Sequence, residues 1–266
     1  MSNDPLLLST QVLIASALWM FGLWLIQLKY RNASLADAGW CAGLVGAVIW
    51  YALMVEGEPA RRMLVASMIG LYALRLGSYI LLDRIVGKQE DPRYRMVRRR
   101  WGQQEPAIIF GYFQLQAAAI CLFSYPPLLV MQNPRPAFSL WELLGVIVWG
   151  VAVAGEAIAD RQLAAFRRQP WNKDRVCSAG LWRYSRHPNY FFEWLHWWSY
   201  VVMALALPAG NWWATLIGPL IMGWALVKVT GIPLAESQAL ASRGEDYRLY
   251  QQTTSAFIPW PPRTER

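Results

Sequence analysis

Seven long apolar windows constrain the fold of this sequence more than any other feature. Each window approaches the ~20 residues that an α-helix needs to cross ~30 Å of hydrocarbon. The windows cover residues 6–28, 38–55, 63–82, 107–131, 139–159, 191–207 and 211–229. Because backbone polar groups inside a bilayer must bond within their own segment, we predict an all-α integral membrane protein with seven transmembrane helices in a single domain, residues 1–266.

Composition supports a membrane protein and argues against nucleic-acid binding. Hydrophobic residues make up 56% of the chain and charged residues only 16%, against about 25% charged residues in soluble proteins. A soluble fold could not cover this much apolar surface. The net charge of +8 comes from basic residues in the gaps between windows, a pattern that membrane topology imposes. The first window is too long for a cleaved signal core and is predicted to remain as a helix.

The gaps between windows alternate between two sides, and Lys and Arg are distributed unequally between these sides. One side carries 21 of them, the other carries three, and Arg75 lies inside a window. Cytoplasmic loops are enriched in Lys and Arg. The distribution therefore predicts an N-terminus outside and a C-terminus in the cytoplasm, which requires an odd number of helices.

The segment 180–198, GLWRYSRHPNYFFEWLHWW, places positive charges at the mouth of an apolar window. Charged residues at such a position are costly and often serve a ligand. Pro188 suits the first turn of a helix, and Asn189 and Glu193 then share one face at i and i+4. His196 follows Glu193 by three, but a di-iron bundle needs two Glu-x-x-His motifs and the chain has only two histidines. We therefore predict a cofactor site without metal.

A second group of charged residues lies at the end of the fifth window. Glu156 and Asp160 are four residues apart and so share a helix face, and several arginines follow, among them Arg167 and Arg175. Carboxylates accept hydrogen bonds from ribose or amide groups, whereas arginine binds phosphate through bidentate contacts. This combination predicts a nucleotide cofactor. The sequence contains no GxGxxG or Walker motif, which argues against a Rossmann or P-loop site.

Two further segments each allow two interpretations. The loop 83–105 contains Glu-Asp-Pro-Arg-Tyr at 90–94, and it either contacts anionic lipid headgroups or forms a fixed turn that covers a ligand. The tail after the last window carries Tyr247 and Tyr250. It either lies as an amphipathic helix on the headgroups or packs as a lid on the region around Gly180.

These motifs resemble the C-terminal half of the steroid 5-alpha-reductase family. Within that family the chain is most similar to a bacterial branch of membrane proteins with an EDPRY-like loop. The resemblance is strong over residues 150–260 and in that loop, and weak before residue 80. It rests on the ordered series Asp160, Arg167, Arg175, Gly180-Leu181-Trp182, Asn189, Glu193, Tyr250 and Ile258-Pro259.

The resemblance implies a seven-helix fold in the bacterial inner membrane, with NADPH bound in a cytoplasm-facing cavity of residues 136–266 and the substrate side in residues 1–135. Glu156 stands where steroid reductases tend to have Asn. The series 186–190 resembles a motif shared with sterol C14-type reductases and isoprenylcysteine carboxyl methyltransferases. The cofactor-binding residues predicted in this way are Glu156, Asp160, Arg167, Arg175, Arg186, His187, Asn189, Tyr190, Glu193, Glu236, Tyr247 and Tyr250.

Reduction by this family requires hydride delivery to an activated C=C bond and an acid that polarises the conjugated carbonyl. The family places a Gln-Glu-Leu-Pro sequence at the end of the second helix and a Tyr in the third. Here the equivalent region reads Val-Glu-Gly-Glu-Pro at 55–59, without the Gln, and Tyr79 shares a face of the third helix with Arg75. We predict Tyr79 as the proton donor and Glu56 or Glu58 as its orienting partner.

The predicted function is therefore an NADPH-dependent reductase of a C=C bond in a steroid-like or other lipophilic substrate, which enters from the bilayer. Membrane lipids are the other expected partners, and nucleic acid is not one. A membrane methyltransferase that uses S-adenosylmethionine is one alternative. It would favour paired glutamates near the start of the tail, whereas here Ala235 precedes a single Glu236. The other alternative is a non-enzymatic, lipid-handling protein whose charges only set topology.

Overall fold

The computed structural model describes residues 4–208 and 210–263, apart from the side chains of residues 83, 84, 92 and 93. About 80% of the chain is helical, and no strand occurs in the described part, which confirms the predicted all-α class. The α-helices there are α1 Pro5–Tyr30, α2 Leu35–Met54, α3 Pro59–Ile80, α4 Pro92–Trp101, α5 Glu105–Met131, α6 Leu140–Arg168, α7 Pro188–Ala204, α8 Ile217–Trp224 and α9 Ile232–Thr253. Single π-helical turns, Leu81–Ile85 and Ala225–Val229, follow α3 and α8.

Among the described residues, six helical segments are long and apolar enough to cross a membrane. They coincide with six of the predicted windows, so the chain has the make-up of a multi-pass membrane protein. The remaining window falls on α7, which has 17 residues. At ~1.5 Å per residue it is about 25 Å long, shorter than the ~30 Å hydrocarbon layer.

Local sequence signals explain where several helices begin. Proline occupies the first turn of α1, α3, α5, α7 and α9, where its missing N–H costs nothing. The Asp4 carboxylate accepts a hydrogen bond from the backbone N–H of Leu6 at the start of α1. Ser139 and Glu142 form a reciprocal capping box at the start of α6. Such caps satisfy N–H groups that have no partner within the helix.

The chain packs into two compact units. The first comprises Met1–Phe138 with Ala206–Thr215, and the second comprises Ser139–Leu205 with Leu216–Arg266. Helices α1 to α5 therefore belong to the first unit, and α6 to α9 belong to the second. The predicted cofactor residues all lie in the second unit, whereas Glu56, Glu58 and Tyr79 lie in the first.

Two arginines at the start of α3 bind carbonyl groups of the first unit. Arg61 is fully buried and donates hydrogen bonds to three carbonyl oxygens between residues 133 and 137, at 2.7–3.1 Å. Arg62 donates to the carbonyl oxygens of Ala52 and Val55 at the C-terminal end of α2, where carbonyls lack donors within the helix. Both arginines thus stabilise the packing of the first unit.

The Glu-Asp-Pro-Arg-Tyr segment fixes α4 to the first unit. Glu90 is buried, and its carboxylate accepts hydrogen bonds from the backbone N–H of Ala33 at 2.7 Å and from Arg98 at 2.8 Å. The hydroxyl of Tyr94 donates to Asp37 at the start of α2, at 2.9 Å. The segment therefore opens a short helix that the sequence analysis did not predict. That it covers a ligand stays a prediction.

Candidate functional site

Helices α6 and α7 pack closely along their length and set the geometry of the candidate site. At one end, a Cβ atom added to Gly145 would lie only 2.8 Å from the backbone oxygen of Ser199. At the other end, Asn189 donates a hydrogen bond to the Asp160 carboxylate at 3.5 Å. Because residue numbers rise along α6 as they fall along α7, the two helices are antiparallel.

This register places four polar side chains together, and we call them the acid face: Glu156, Asp160, Asn189 and Glu193. Asp160 faces Asn189, so Glu156 and Glu193 lie at the same level, one helical turn further from the connection between the helices. Glu156 is 4% exposed and Glu193 is 9% exposed. The indole N–H of Trp197 donates to Glu193 at 3.3 Å. Carboxylates accept hydrogen bonds only, so the acid face suits the hydroxyl and amide donors of a ligand.

The connection between α6 and α7 is held against the end of α6. The side chain of Gln162 accepts a hydrogen bond from the backbone N–H of Leu181 at 2.9 Å, and the indole of Trp182 donates to the carbonyl of Ala159 at 3.0 Å. Gly180 has a φ of +61°, and the amide of Gln162 occupies the space that a Cβ would take. Glycine is therefore required at this turn, which explains the Gly-Leu-Trp sequence of the motif.

An arginine cluster, Arg167, Arg175 and Arg243, surrounds the connection. Arg243 on α9 donates to the carbonyl of Arg175 at 2.9 Å. Burial raises the pKa of the Cys177 thiol, while the charges of Arg167 and Arg243 act in the opposite direction, which places both arginines near this cysteine. Arginines grouped in this way are candidate ligands for phosphate.

Arg243 is a site residue that sequence reasoning missed. It lies in α9, directly before Gly244, whose φ of 53° and ψ of −122° break the helix. An isolated glycine inside a helical pattern is a known signal of such a break. The signal was available in the sequence, but only the fold shows that α9 returns to the Arg175 backbone.

Arg186 and His187 both contact the tail, residues 232–263. The guanidinium of Arg186 pairs with Glu236 at 2.7 Å and donates to the carbonyls of Gln251 and Thr254, at 3.0 and 2.6 Å. His187 lies 3.3 Å from the same Glu236 oxygen, and its ring stacks on Tyr190 at 5.3 Å. Arg186, His187 and Tyr190 of the 186–190 motif thus form one internal network with Glu236.

Further hydrogen bonds attach the end of the tail to the region that follows Gly180. The hydroxyl of Tyr250 donates to the carbonyl of Trp182. The hydroxyl of Ser185 donates to the carbonyl of Phe257 at 2.8 Å, and the backbone N–H of Trp260 donates to the backbone carbonyl of Tyr184. The tail therefore packs on this region, as one of the two interpretations predicted. Tyr247 is also buried, beside Tyr250.

Two cavities in the second unit border the tail segment 250–254. One has a volume of about 300 Å³ and includes Arg186, Trp260 and Arg263 in its lining. The other has a volume of about 530 Å³ and includes Gly180, Arg183 and Tyr250. Arginines and tail residues thus line both cavities, which suits polar or anionic ligands.

The length of α3 excludes the predicted pairing of Tyr79 with a glutamate. The helix has 22 residues and is therefore about 33 Å long. Glu58 caps its first residue, whereas Tyr79 is next to its last. Neither Glu58 nor the exposed Glu56 can orient Tyr79 across this distance, and the pairing is wrong. That Tyr79 donates a proton, and that either glutamate acts at the reaction centre, stay predictions.

His196 belongs to the interior of α7. It is fully buried, and its Nε2 atom lies 3.2 Å from the hydroxyl of Tyr200, one turn further along the helix. Among the described residues, no group of three or more His, Cys, Asp and Glu side chains is arranged to hold a metal ion. His196 is thus part of the helix packing.

A family model with the description "Protein of unknown function (DUF1295)" matches residues 23–254. The chain belongs to this family. The matched range contains every predicted site residue, from Glu56 to Tyr250. Searches of curated proteins and of solved structures gave no match.

Proposed function

We propose that this protein is an NADPH-dependent reductase of a C=C bond in a lipophilic enone, embedded in the inner membrane of a bacterium. In this proposal α7 also crosses the membrane, which makes seven transmembrane helices in all, and the C-terminus is cytoplasmic because the basic loops lie on that side. The observation that carries the proposal is the acid face beside the arginine cluster. The resemblance to the steroid 5-alpha-reductase family, which includes several of the same residues, also supports it.

The residues present fit a dinucleotide with an additional phosphate. The arginine cluster provides three guanidinium groups, enough for a pyrophosphate and a 2′-phosphate. The acid face provides acceptors for ribose hydroxyl and carboxamide donors. The network of Arg186, His187 and Glu236 holds the tail against the connection between α6 and α7, so these residues position the site even without touching a ligand. Three tyrosines add to this packing: Tyr190 stacks on His187, Tyr250 bonds to the carbonyl of Trp182, and Tyr247 lies beside Tyr250.

The chain itself must supply a proton and exclude water. NADPH, when bound, supplies a hydride. Tyr79 is half-buried near the end of α3, which the proposed topology places on the cytoplasmic side. Its phenol can donate a hydrogen bond to the carbonyl of an enone and then transfer the proton. Arg75, one turn earlier on the same face of α3, places a positive charge on that face, where it would favour the negative charge that develops on the oxygen.

Binding to the purified protein tests the proposal. Thermal unfolding in detergent is followed with NADPH, NADH or S-adenosylmethionine, because a ligand that binds only the folded state raises the unfolding temperature. We expect the largest increase with NADPH, and its loss in Glu193→Gln. Glu245→Gln is the matched control, since Glu245 is exposed and pairs only with Arg248 in the described part. Stabilisation by S-adenosylmethionine alone would favour the methyltransferase instead.

A further inference from the structure

Helix α4 lies in the connection between two membrane-spanning helices. The connection runs from the end of α3 to the start of α5, and both helices are apolar enough to cross a membrane. A helix in so short a connection remains close to the membrane surface. Its environment is therefore the layer of lipid headgroups.

The carboxylates that contact α4 form ion pairs within the first unit. Glu90 and Glu105 are both buried, and both pair with the guanidinium of Arg98. Glu105 also pairs with Arg31 at 2.9 Å. These two acids therefore neutralise Arg98 and Arg31, and they do not reach the outer face of α4.

The outer face of α4 consists of Met96, Arg99 and Arg100. These residues lie at i, i+3 and i+4 on one side of the helix, opposite the buried Tyr94 and the paired Arg98. Met96 is 65% exposed, and both arginines are exposed. Within the part of the chain that the structure describes, no carboxylate pairs with Arg99 or Arg100.

We propose that the outer face of α4 binds the phosphate groups of anionic phospholipids. Arginine binds phosphate oxygens through two parallel hydrogen bonds, and basic segments next to a membrane span are attracted to anionic lipid. Met96, between the two charges, enters the boundary between headgroups and acyl chains, which free phosphate does not offer. This surface belongs to the first unit and contains none of the cofactor residues, so lipid binding there does not depend on the proposed reductase activity.

A fluorescent label at Met96 tests the proposal. The full-length protein, with its three native cysteines replaced by alanine, carries Met96→Cys labelled with an environment-sensitive dye. It is placed in nanodiscs of phosphatidylcholine, with or without phosphatidylglycerol. We expect emission at shorter wavelength with phosphatidylglycerol, and loss of this shift in the double variant Arg99→Gln, Arg100→Gln. Added salt should reduce the shift, because it screens exposed charges.

Two comparisons complete the test. The control Lys173→Gln, Arg248→Gln changes net charge equally at exposed positions outside the first unit and should retain the shift. The variant Arg99→Lys, Arg100→Lys keeps the charge and should retain most of it. Identical spectra in both lipids, or an equal loss in the control, would overturn the proposal. Reproduction of the shift by glycerol phosphate in phosphatidylcholine discs would assign the effect to free phosphate and would also overturn it.

Discussion

The close approach of α6 and α7 yields a prediction with a matched control on the same helix. In Gly145→Ala, the new methyl group would lie 2.8 Å from the backbone oxygen of Ser199, well inside the ~3.5 Å of a favourable contact. Backbone cannot move aside as a side chain can, so α7 must shift. In Gly150→Ala, the methyl group would meet no atom within 4 Å.

The energetic difference between the two variants follows from this geometry. Both substitutions gain about 0.5–1 kcal/mol because alanine loses less backbone entropy than glycine in a helix. Only Gly145→Ala also carries the cost of overpacking, about 1–3 kcal/mol. The shared gain cancels, so that cost separates the two variants. At about 2–4 °C per kcal/mol for chains near this length, their unfolding temperatures should differ by about 2–12 °C.

Thermal unfolding in detergent, followed by tryptophan fluorescence, measures this difference at one protein concentration and one heating rate. Gly150→Ala should match or exceed the unsubstituted protein, and Gly145→Ala should unfold at the lowest temperature of the three. Equal unfolding temperatures for both variants would refute the antiparallel register of α6 and α7. The acid face depends on that register.

Two other predictions concern a buried arginine and a half-buried cysteine. Arg61→Met should lower the free energy of unfolding by about 3 kcal/mol or more, because it leaves buried carbonyls without donors. Denaturant unfolding measures this loss, with the exposed Arg248→Met as the control. Equal stability of the two variants would contradict the prediction. Cys177, as the sole cysteine, should react with maleimide slowly at pH 7 and faster up to and beyond pH 9, because burial raises the pKa of its thiol. Arg167→Gln should slow the reaction further, by removing a nearby positive charge, whereas Arg161→Gln should not; equal rates in both variants would place Arg167 away from Cys177.

The sequence predicts the helices well because each of their signals is local. Apolar windows set the long helices, and Pro188 marks the start of α7 as expected. Helix α4 was not predicted because its buried face contains Arg98, a charged residue that can be buried only because it pairs with Glu90 and Glu105, which lie just before and just after the helix. Because neither glutamate belongs to α4, these pairs leave no periodic signal within the helix.

The candidate site was predictable in its residues but not in its contacts. Helical spacing placed Glu156 with Asp160 and Asn189 with Glu193, and the structure adds the register that brings the two pairs together. Arg186 looked equally available for a ligand, but the fold commits it to Glu236 and the tail. The excluded pairing of Tyr79 with Glu56 or Glu58 had a local cause, since one transmembrane helix separates them.

Isotope transfer tests the central claim most directly. The purified protein is incubated with a lipid extract, with NADPH deuterated at the transferable hydrogen and with S-adenosylmethionine, and the lipids are analysed by mass spectrometry. The proposal predicts a lipid that gains one deuterium from the cofactor and one proton from water, at a rate that falls at least tenfold in Glu193→Gln but not in Glu245→Gln. A lipid that gains a methyl group from S-adenosylmethionine, with no deuterium incorporated from NADPH into any lipid, would contradict it.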